Sequence, residues 1–147
     1  GTPNSYNLPH DPDNDRKINR LGALAELVVA TLLGVEDQWV ECTADYKALP
    51  GDVLPGIQVR SSQKPYGRLL LHPADHDEHA FVQCRHHFRG EQPVAVEVIG
   101  WTTGLTGKNS SHWWTGKNGL RPCYRVPDEI LTPGLRGLTQ WARTYSH

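Results

Sequence analysis

The chain has 147 residues, of which 37% are hydrophobic and 21% are charged, and its formal net charge is −1. This length suits one domain that can bury a core without disulfide or metal support, and this composition excludes wholesale disorder. The near-zero net charge excludes a protein that coats nucleic acid by bulk charge, so any nucleic-acid site must be a local patch.

The N-terminal third predicts an arm followed by one helix. Residues 1–16 are rich in Pro, Asn and Asp and predict an irregular arm, after which residues 17–147 form a single domain. From Lys17 to Leu33, apolar residues recur at helical spacing, and Gly34 stands where a helix commonly ends. The longest apolar run, Leu27 to Leu33, is too short to cross a bilayer, so no membrane association is expected.

Strand signals follow the helix, and the chain closes on a helical tail. The predicted strands are residues 39–43, 52–54, 57–60, 68–72, 80–85 and 94–101. The last of these is almost continuously apolar, which is typical of a strand covered on both faces. Residues 102–121 predict a long loop, and residues 127–145 predict a short helix interrupted at Pro133-Gly134. This order predicts an α+β fold, with helices packed on a sheet.

Glu26 lies in the middle of the predicted helix, between Ala25 and the apolar run from Leu27 to Ala30. On the helix alone, it could be a glutamate exposed at the polar edge. An uncompensated buried carboxylate is costly, so a position at the edge of the apolar stripe favours a partner or a metal ion.

The segment from residue 52 to residue 60 predicts a hairpin that turns at Pro55-Gly56. A two-residue turn would place Asp52 on the face opposite Gln58 and Arg60, because side chains alternate along a strand. A three-residue loop, Pro55 to Ile57, would pair Asp52 with Arg60 and gather all three polar side chains on one face. We predict this loop, or an equivalent bulge, because it brings the polar groups together.

The gathered groups suggest phosphate chemistry. Glu26, Asp52 and Gln58 would form a set of oxygen ligands that suits Mg²⁺ or Mn²⁺, and such an ion can polarise a phosphate and supply a nucleophilic hydroxide. Arg60 could bind a phosphate oxygen, but it cannot act as a general base because its guanidinium stays protonated. Taken singly, each residue is equally explained as a polar position in a turn, strand or helix.

The order of these residues resembles the signature of the PD-(D/E)XK nucleases: a helix glutamate, an aspartate, and a strand tripeptide of acid-x-lysine type. The string Gly51-Asp52-Val53 … Gly56-Ile57-Gln58-Val59-Arg60-Ser61 is similar to small phage and bacterial members, which have roughly G-D-V-G-G-x-E-V-R-T/S. The likeness extends over about residues 18–141 through five further segments: Leu69 to Pro73, Asp75 with Asp77 and Glu78, Phe81-Val82, Val98 to Trp101, and Tyr124 to Pro127.

The resemblance implies a restriction-endonuclease-like core, in which a mixed central sheet packs against an N-terminal helix and a short C-terminal helix. It implies a Mg²⁺-dependent hydrolase, an endo- or exodeoxyribonuclease, that cleaves phosphodiester bonds of nucleic acid, with DNA the expected substrate. It also implies Glu26, Asp52 and Gln58 as metal ligands and Arg60 as the cation that stabilises the transition state. A homodimer in bacterial or phage-infected cytoplasm is the expected setting.

Two departures from the family pattern favour an alternative. Gln58 stands where the family has an acid and Arg60 where it has a lysine, so the amide offers a metal an oxygen without charge. The usual helix between the third and fourth core strands is absent or reduced to roughly residues 74–79. The alternative is therefore a catalytically silent relative that binds nucleic acid or a protein partner.

Two cation-rich stretches predict the nucleic-acid surface, since lysine and arginine bind phosphates and tryptophan can stack on bases. The same residues could equally be solvated cations and rings that cover a sheet edge. The candidates are Lys64, Arg68, Lys108, Trp113, Trp114, Lys117 and Arg121.

Cysteine and histidine usage points away from other site types. Cys42, Cys84 and Cys123 form no paired spacing and predict inert, partly buried thiols in a reducing cytoplasm. Five histidines between residues 72 and 87 leave a structural zinc site as a third hypothesis, although their spacing matches no standard zinc motif.

Overall fold

The computed structural model of the chain describes residues 12–37, 52–117 and 119–145. The elements in chain order are α1 (Pro12–Leu33), β1 (Asp52–Leu54), β2 (Ile57–Ser62), β3 (Leu69–Leu71), β4 (Ala80–Arg89), β5 (Gln92–Thr103), α2 (Gly104–Gly107), a 3₁₀ turn (Ser110–His112), β6 (Trp113–Trp114), β7 (Cys123–Val126), a second 3₁₀ turn (Asp128–Ile130), β8 (Thr132–Pro133) and α3 (Leu138–Tyr145).

The strands of the described residues form two sheets. The larger has the order β1-β2-β4-β5-β8, and in it β2 and β4 are parallel while the other neighbours are antiparallel. The smaller has the order β3-β7-β6 and is antiparallel throughout. The predicted α+β class with a mixed sheet is therefore confirmed.

Each face of the larger sheet has its own hydrophobic core. On one face, Ala25 and Val29 of α1 pack in a cluster that includes Ile57 and Val82. The other cluster joins the larger sheet to the smaller, and its members are Leu69, Leu71, Phe81, Val126 and Leu131. Successive strand residues such as Phe81 and Val82 enter different clusters because side chains alternate across a sheet.

The parallel pairing of β2 with β4 determines where the candidate site lies. Parallel neighbours require a crossover connection. Here the crossover runs through β3 and a series of turns between His72 and His79, and no helix intervenes. It passes on the Phe81 face of the larger sheet, because β3 supplies Leu69 and Leu71 to the core there.

Helix α1 begins earlier than expected. It starts at Pro12 rather than at Lys17, so the last part of the predicted 1–16 arm is helical. Proline is well tolerated in the first turn, where its missing N–H has no helical partner. The predicted end is confirmed: the helix stops at Leu33, and Gly34 has a φ of 74°. No helix in the described ranges has both the length and the apolar character needed to cross a bilayer.

Other predicted boundaries need correction. Strands β4 and β5 are longer than expected and form one hairpin that turns at Gly90. The start of β5 is exposed, with Val94 54% accessible, so the expected coverage of both faces is wrong there. The predicted loop 102–121 contains α2, a 3₁₀ turn and β6, and the C-terminal helix begins only at Leu138. The predicted strand 39–43 lies outside the described residues.

Candidate functional site

The β1–β2 hairpin differs from the predicted loop in a way that matters for the site. Leu54 pairs with Ile57, so the turn has two residues, Pro55-Gly56, and the predicted three-residue loop is wrong. A register shift between Asp52 and Leu54 then makes Asp52 the partner of Gln58, not of Arg60 as expected. The bulge that we considered as the equivalent of a longer loop is thus present. The side chain of Asp52 lies outside the described set.

Gln58 and Arg60 share one face of β2, as predicted. The Arg60 Nη2 group donates a hydrogen bond of 3.1 Å to Gln58 Oε1. The guanidinium carbon lies 4.7 Å from the centroid of the buried Phe81 ring. Ile57 points to the other face and packs against α1. Strand alternation therefore places the Gln58–Arg60 pair under the crossover, away from α1.

Asp75, from the crossover, pairs with Arg60 in a two-pronged geometry. Arg60 Nη1 donates to Asp75 Oδ2 at 2.7 Å, and Nη2 donates to Oδ1 at 2.8 Å. Nη1 also donates to the Leu70 carbonyl at 2.9 Å. Both partners are largely shielded, with side-chain exposures of 27% for Arg60 and 15% for Asp75. Such paired, charge-assisted bonds fix the guanidinium plane in one orientation.

The charge state of Asp75 follows from these contacts. Burial, the largest effect, would raise the pKa of the carboxyl group. Three effects oppose burial: the hydrogen bonds from Arg60, the positive charge of Arg60, and a hydrogen bond of 2.7 Å from the His72 backbone N–H. Together they outweigh burial, so the pKa of Asp75 is lowered. Asp75 is therefore a carboxylate at neutral pH, and it neutralises Arg60 in the free protein.

His79 completes the arrangement on the other side of Gln58. Gln58 Nε2 lies 3.3 Å from His79 Nδ1, and the rings of His76 and His79 are 4.5 Å apart. Because a guanidinium only donates, the amide oxygen of Gln58 must face Arg60 and its NH₂ must donate to His79. We call Gln58, Arg60, His72, Asp75 and His79 the Arg60 cluster.

Lys108 supports the crossover rather than an open surface. Its ammonium group pairs with Asp77 Oδ1 at 2.6 Å and donates to the Asp75 carbonyl at 2.6 Å. The side chain is only 14% exposed. Nearby, a Cβ on Gly104 would lie 2.1 Å from the His76 carbonyl oxygen, so α2 needs glycine to approach the turns this closely. The Lys108 charge is thus compensated within the fold, unlike the free cation that the sequence suggested.

Glu26 belongs to the opposite face of the sheet. It is half-buried on α1, next to Ala25, which packs in the same cluster as Val53 and Ile57. The structure therefore brings together Gln58 and Arg60 but positions the helix of Glu26 across the sheet from them. Asp75 and His79 were not among the predicted site residues, because only the crossover brings them near β2.

The fit of a metal ion can be tested against the donor set. Within the described ranges, no group of three or more His, Cys, Asp or Glu side chains is arranged to hold a metal. Gln58 Oε1 already accepts one hydrogen bond from Arg60, and a carbonyl oxygen has a second lone pair to offer. A Mg²⁺ ion here would therefore depend on Asp52, whose backbone lies opposite Gln58 in the register.

The smaller sheet carries the predicted aromatic and basic residues. Trp113 is 43% exposed and meets Tyr124 edge-on, with ring centroids 4.8 Å apart. Arg125 lies over the Trp114 ring at 5.4 Å. The other predicted cations, Lys64, Arg68, Lys117 and Arg121, are exposed.

One residue of this basic surface, Arg121, lies close to His72 of the Arg60 cluster. Burial is the largest effect and lowers the pKa of His72. The negative charge of Asp75 raises this pKa, whereas the positive charges of Arg121 and Arg60 lower it further, and the pKa is lowered overall. The charge of Arg121 therefore acts within the neighbourhood of Asp75 and Arg60.

The histidines and cysteines form no common centre in the described part of the chain. His86 lies on the α1 side of β4, where Cys84 also packs, whereas His72 and His79 lie in the crossover. Cys84 and Cys123 are free and buried, and burial raises the pKa of Cys84 to about 12, as expected for an inert thiol. Cys42 is outside the described residues.

Comparison of the chain with protein-family models, curated proteins and solved structures gives no match.

Proposed function

We propose that this chain is a restriction-endonuclease-like domain that hydrolyses phosphodiester bonds of nucleic acid, with DNA as its substrate and Mg²⁺ or Mn²⁺ as its cofactor. The observation that supports this best is the pairing of Asp52 with Gln58 across a bulge, with Arg60 beside Gln58 on the same strand face. This register brings together the positions of Asp52, Gln58 and Arg60, three of the four site residues that the resemblance to PD-(D/E)XK nucleases implies, whereas the helix of Glu26 lies across the sheet.

Arg60 has a defined role in this proposal. Its two Nη groups now bind the two oxygens of Asp75, and a phosphate presents oxygens at a similar spacing. A substrate phosphate can therefore displace Asp75 from Arg60. The positive charge of Arg60 would then stabilise the negative charge that develops on the phosphate in the transition state. The metal ion would polarise the phosphate and lower the pKa of the attacking water.

The basic surface of the smaller sheet would bind the rest of the nucleic acid. Leu71 of β3 pairs with Tyr124 of β7, so this surface adjoins the start of the crossover at His72, and a strand bound to it would continue toward the Arg60 cluster. Trp113 offers an exposed ring for base stacking, and Arg68 and Lys117 offer phosphate contacts.

One observation favours a second candidate, a domain that binds nucleic acid or a protein without cutting. Gln58 adds no negative charge, and within the described residues no acidic trio stands beside it. Arg60 is already neutralised by Asp75. A site built this way can bind a phosphate by exchange with Asp75 and still lack the metal that activates water.

A cleavage assay separates the two candidates. Single- and double-stranded DNA are incubated with the purified chain and Mg²⁺ or Mn²⁺, alongside the Asp52→Ala variant. As a matched control, Asp37→Ala removes an exposed carboxylate from the segment that follows α1, fifteen residues before Asp52. The nuclease proposal expects cleavage that disappears in Asp52→Ala and persists in Asp37→Ala. Binding without cleavage in either metal would support the second candidate and reject the first.

A further inference from the structure

The hairpin formed by β6 and β7 combines aromatic and basic side chains without any acid. Its strands pair antiparallel, so residues 115–122 form the loop between them. The Leu120 N–H donates to the Lys117 carbonyl at 3.0 Å, which makes this loop turn back on itself. From residue 113 to residue 126 the sequence has no Asp or Glu, and its cations are Lys117, Arg121 and Arg125. We call this element the β6–β7 hairpin.

The positive charges of the β6–β7 hairpin are not neutralised by the fold. Within the described residues, Lys117, Arg121 and Arg125 form no ion pair, and all three are exposed. By contrast, Arg85 and Lys108 are each paired with an aspartate. A local surface of one sign attracts ligands of the opposite charge, even when the net charge of the chain is near zero. The hairpin is therefore suited to a polyanion.

Two tryptophans add rings to this charge. Trp113 is 43% exposed, although it contacts the Tyr124 ring edge-on. The Arg125 guanidinium lies 5.4 Å from the centroid of the Trp114 ring. Unpaired bases stack on exposed aromatic rings and on guanidinium planes alike. Because β6 is at the edge of the smaller sheet, a ligand that runs along this edge can reach both of its faces.

The small number of cations favours an unpaired strand over a duplex. Three cations neutralise about three phosphates, fewer than the roughly 6–10 contacts of a duplex-binding protein with a steep salt dependence. Stacking of one base on an aromatic ring contributes about fivefold to 150-fold in affinity, and the bases of a duplex are already stacked on one another. An unpaired strand can therefore use the rings and the charges of the hairpin, whereas a duplex can use only the charges.

We propose that the β6–β7 hairpin binds single-stranded DNA in preference to duplex DNA, with a base on the Trp113 ring and phosphates on Lys117, Arg121 and Arg125. This preference rests on the proposed function for DNA as the ligand, and it would present an unpaired strand to the Arg60 cluster. Binding measured without metal tests the preference separately from cleavage.

The test is fluorescence anisotropy of a labelled oligothymidylate of about 20 nucleotides, alone and annealed to its complement, titrated with the full chain in the presence of EDTA. We expect the single strand to bind at least about tenfold more tightly than the duplex, since one stacked base can supply a factor of this size. Equal affinities would reject the preference, and so would the absence of binding to the single strand.

Paired substitutions at Trp113 test the stacking. Trp113→Leu removes the ring and should weaken single-strand binding at least about fivefold, whereas Trp113→Phe keeps a ring and should retain most of the affinity. Duplex binding should change in neither variant. Because Trp113 is exposed, both variants should fold, and circular dichroism checks that they do. Equal losses in the two variants would mean that no base stacks on this ring and would overturn the assignment.

Lys117→Ala and Arg121→Ala test the phosphate contacts through the salt dependence of binding. With about three phosphates neutralised, the logarithm of the association constant should fall with the logarithm of the salt concentration with a slope of about −2 for the single strand. Each substitution should make this slope shallower by about 0.7, whereas Arg143→Ala, which removes an exposed arginine of α3, should leave it unchanged. An unchanged slope in both hairpin variants would place the strand elsewhere and reject the assignment.

The outcomes of the binding and cleavage assays are distinguishable. Cleavage of DNA together with equal affinity for single strand and duplex would reject the preference and leave the nuclease proposal standing. Preferential binding of the single strand without cleavage in either metal would support the preference and reject the nuclease proposal.

Discussion

The two faces of the larger sheet illustrate two ways of placing polar groups in a small domain. On the α1 face, Ala25, Val29 and Ile57 form an apolar core, and His86 has one ring nitrogen without a partner. On the crossover face, Arg60, Asp75 and Gln58 form a closed network whose charges are paired. The difference arises from what covers each face. Helix α1 packs on one face, whereas the crossover between β2 and β4, with its polar turns between His72 and His79, covers the other.

The same strand contributes polar side chains to both faces of the sheet. Along β2, Gln58 and Arg60 meet the crossover, while Ser61 meets His86 beneath α1. A paired network holds its side chains in one geometry before a substrate arrives.

The largest predicted effect on stability comes from removing the Phe81 ring, which packs against the Arg60 guanidinium. Phe81→Ala should lower the free energy of unfolding by about 3–5 kcal/mol, because the ring is fully buried and its loss leaves a cavity. Urea denaturation measures the change. Phe88→Ala, at the more exposed end of β4, should cost clearly less. Equal losses would mean that Phe81 does not anchor the crossover core.

The Arg60–Asp75 pair should show the next largest effect. Arg60→Ala leaves a shielded carboxylate unpaired and should cost about 3 kcal/mol. Asp75→Asn tests the same contact from the other side. In a double-mutant cycle the two changes should be strongly non-additive, since they remove one interaction. Additive losses would contradict the paired geometry.

Two lysines that looked alike in sequence should behave differently. Lys108→Ala removes the ion pair with Asp77 and the bond to the Asp75 carbonyl, and it should cost about 1–2 kcal/mol. Lys117→Ala, at an exposed position, should change stability by less than about 0.5 kcal/mol. Thermal or urea unfolding distinguishes them. If the Lys108 variant were as stable as the Lys117 variant, Lys108 would not stabilise the fold.

The smallest effect should be a pH dependence from the α1 face. The pKa of His86 is lowered from its ordinary 6.5, so as pH falls below about 6.5 the unfolded chain takes up a proton that the folded chain resists. The contribution to stability is thus complete above that pH and is lost below it. His72, whose pKa is also lowered, contributes in the same direction. Unfolding measured from pH 7.5 to 5.5 should therefore show a shallower decline in His86→Gln, but an unchanged decline in His76→Gln, an exposed control that does not act on His86.

The features predicted correctly from sequence are those set by neighbouring residues. Alternation along β2 placed Gln58 and Arg60 on one face, and Gly34 marked the end of α1. The bulge beside Asp52 has no local signature, because register depends on how the whole sheet pairs. Asp75 and His79 reach β2 only through the crossover, a long-range contact that no periodicity reveals.

Long-range contacts also explain why the sequence wrongly predicts Lys108 to be a surface cation. Its sequence neighbours carry no acid, and its partners, Asp77 and the carbonyls of Pro73 and Asp75, come from the distant crossover. Charge counted along the chain therefore overstated the basic patch. Charge compensated through space can be seen only once the connections are known.

The most direct test of the central claim is a titration of Mg²⁺ and Mn²⁺ into the wild-type chain and Gln58→Glu, followed by calorimetry. If Gln58 faces a cation site shared with Asp52, the added carboxylate should tighten divalent-ion binding by at least about tenfold, while Gln63→Glu, an exposed control, leaves it unchanged. Identical heats for wild type and Gln58→Glu would show that no cation binds beside Gln58 and would contradict the nuclease proposal.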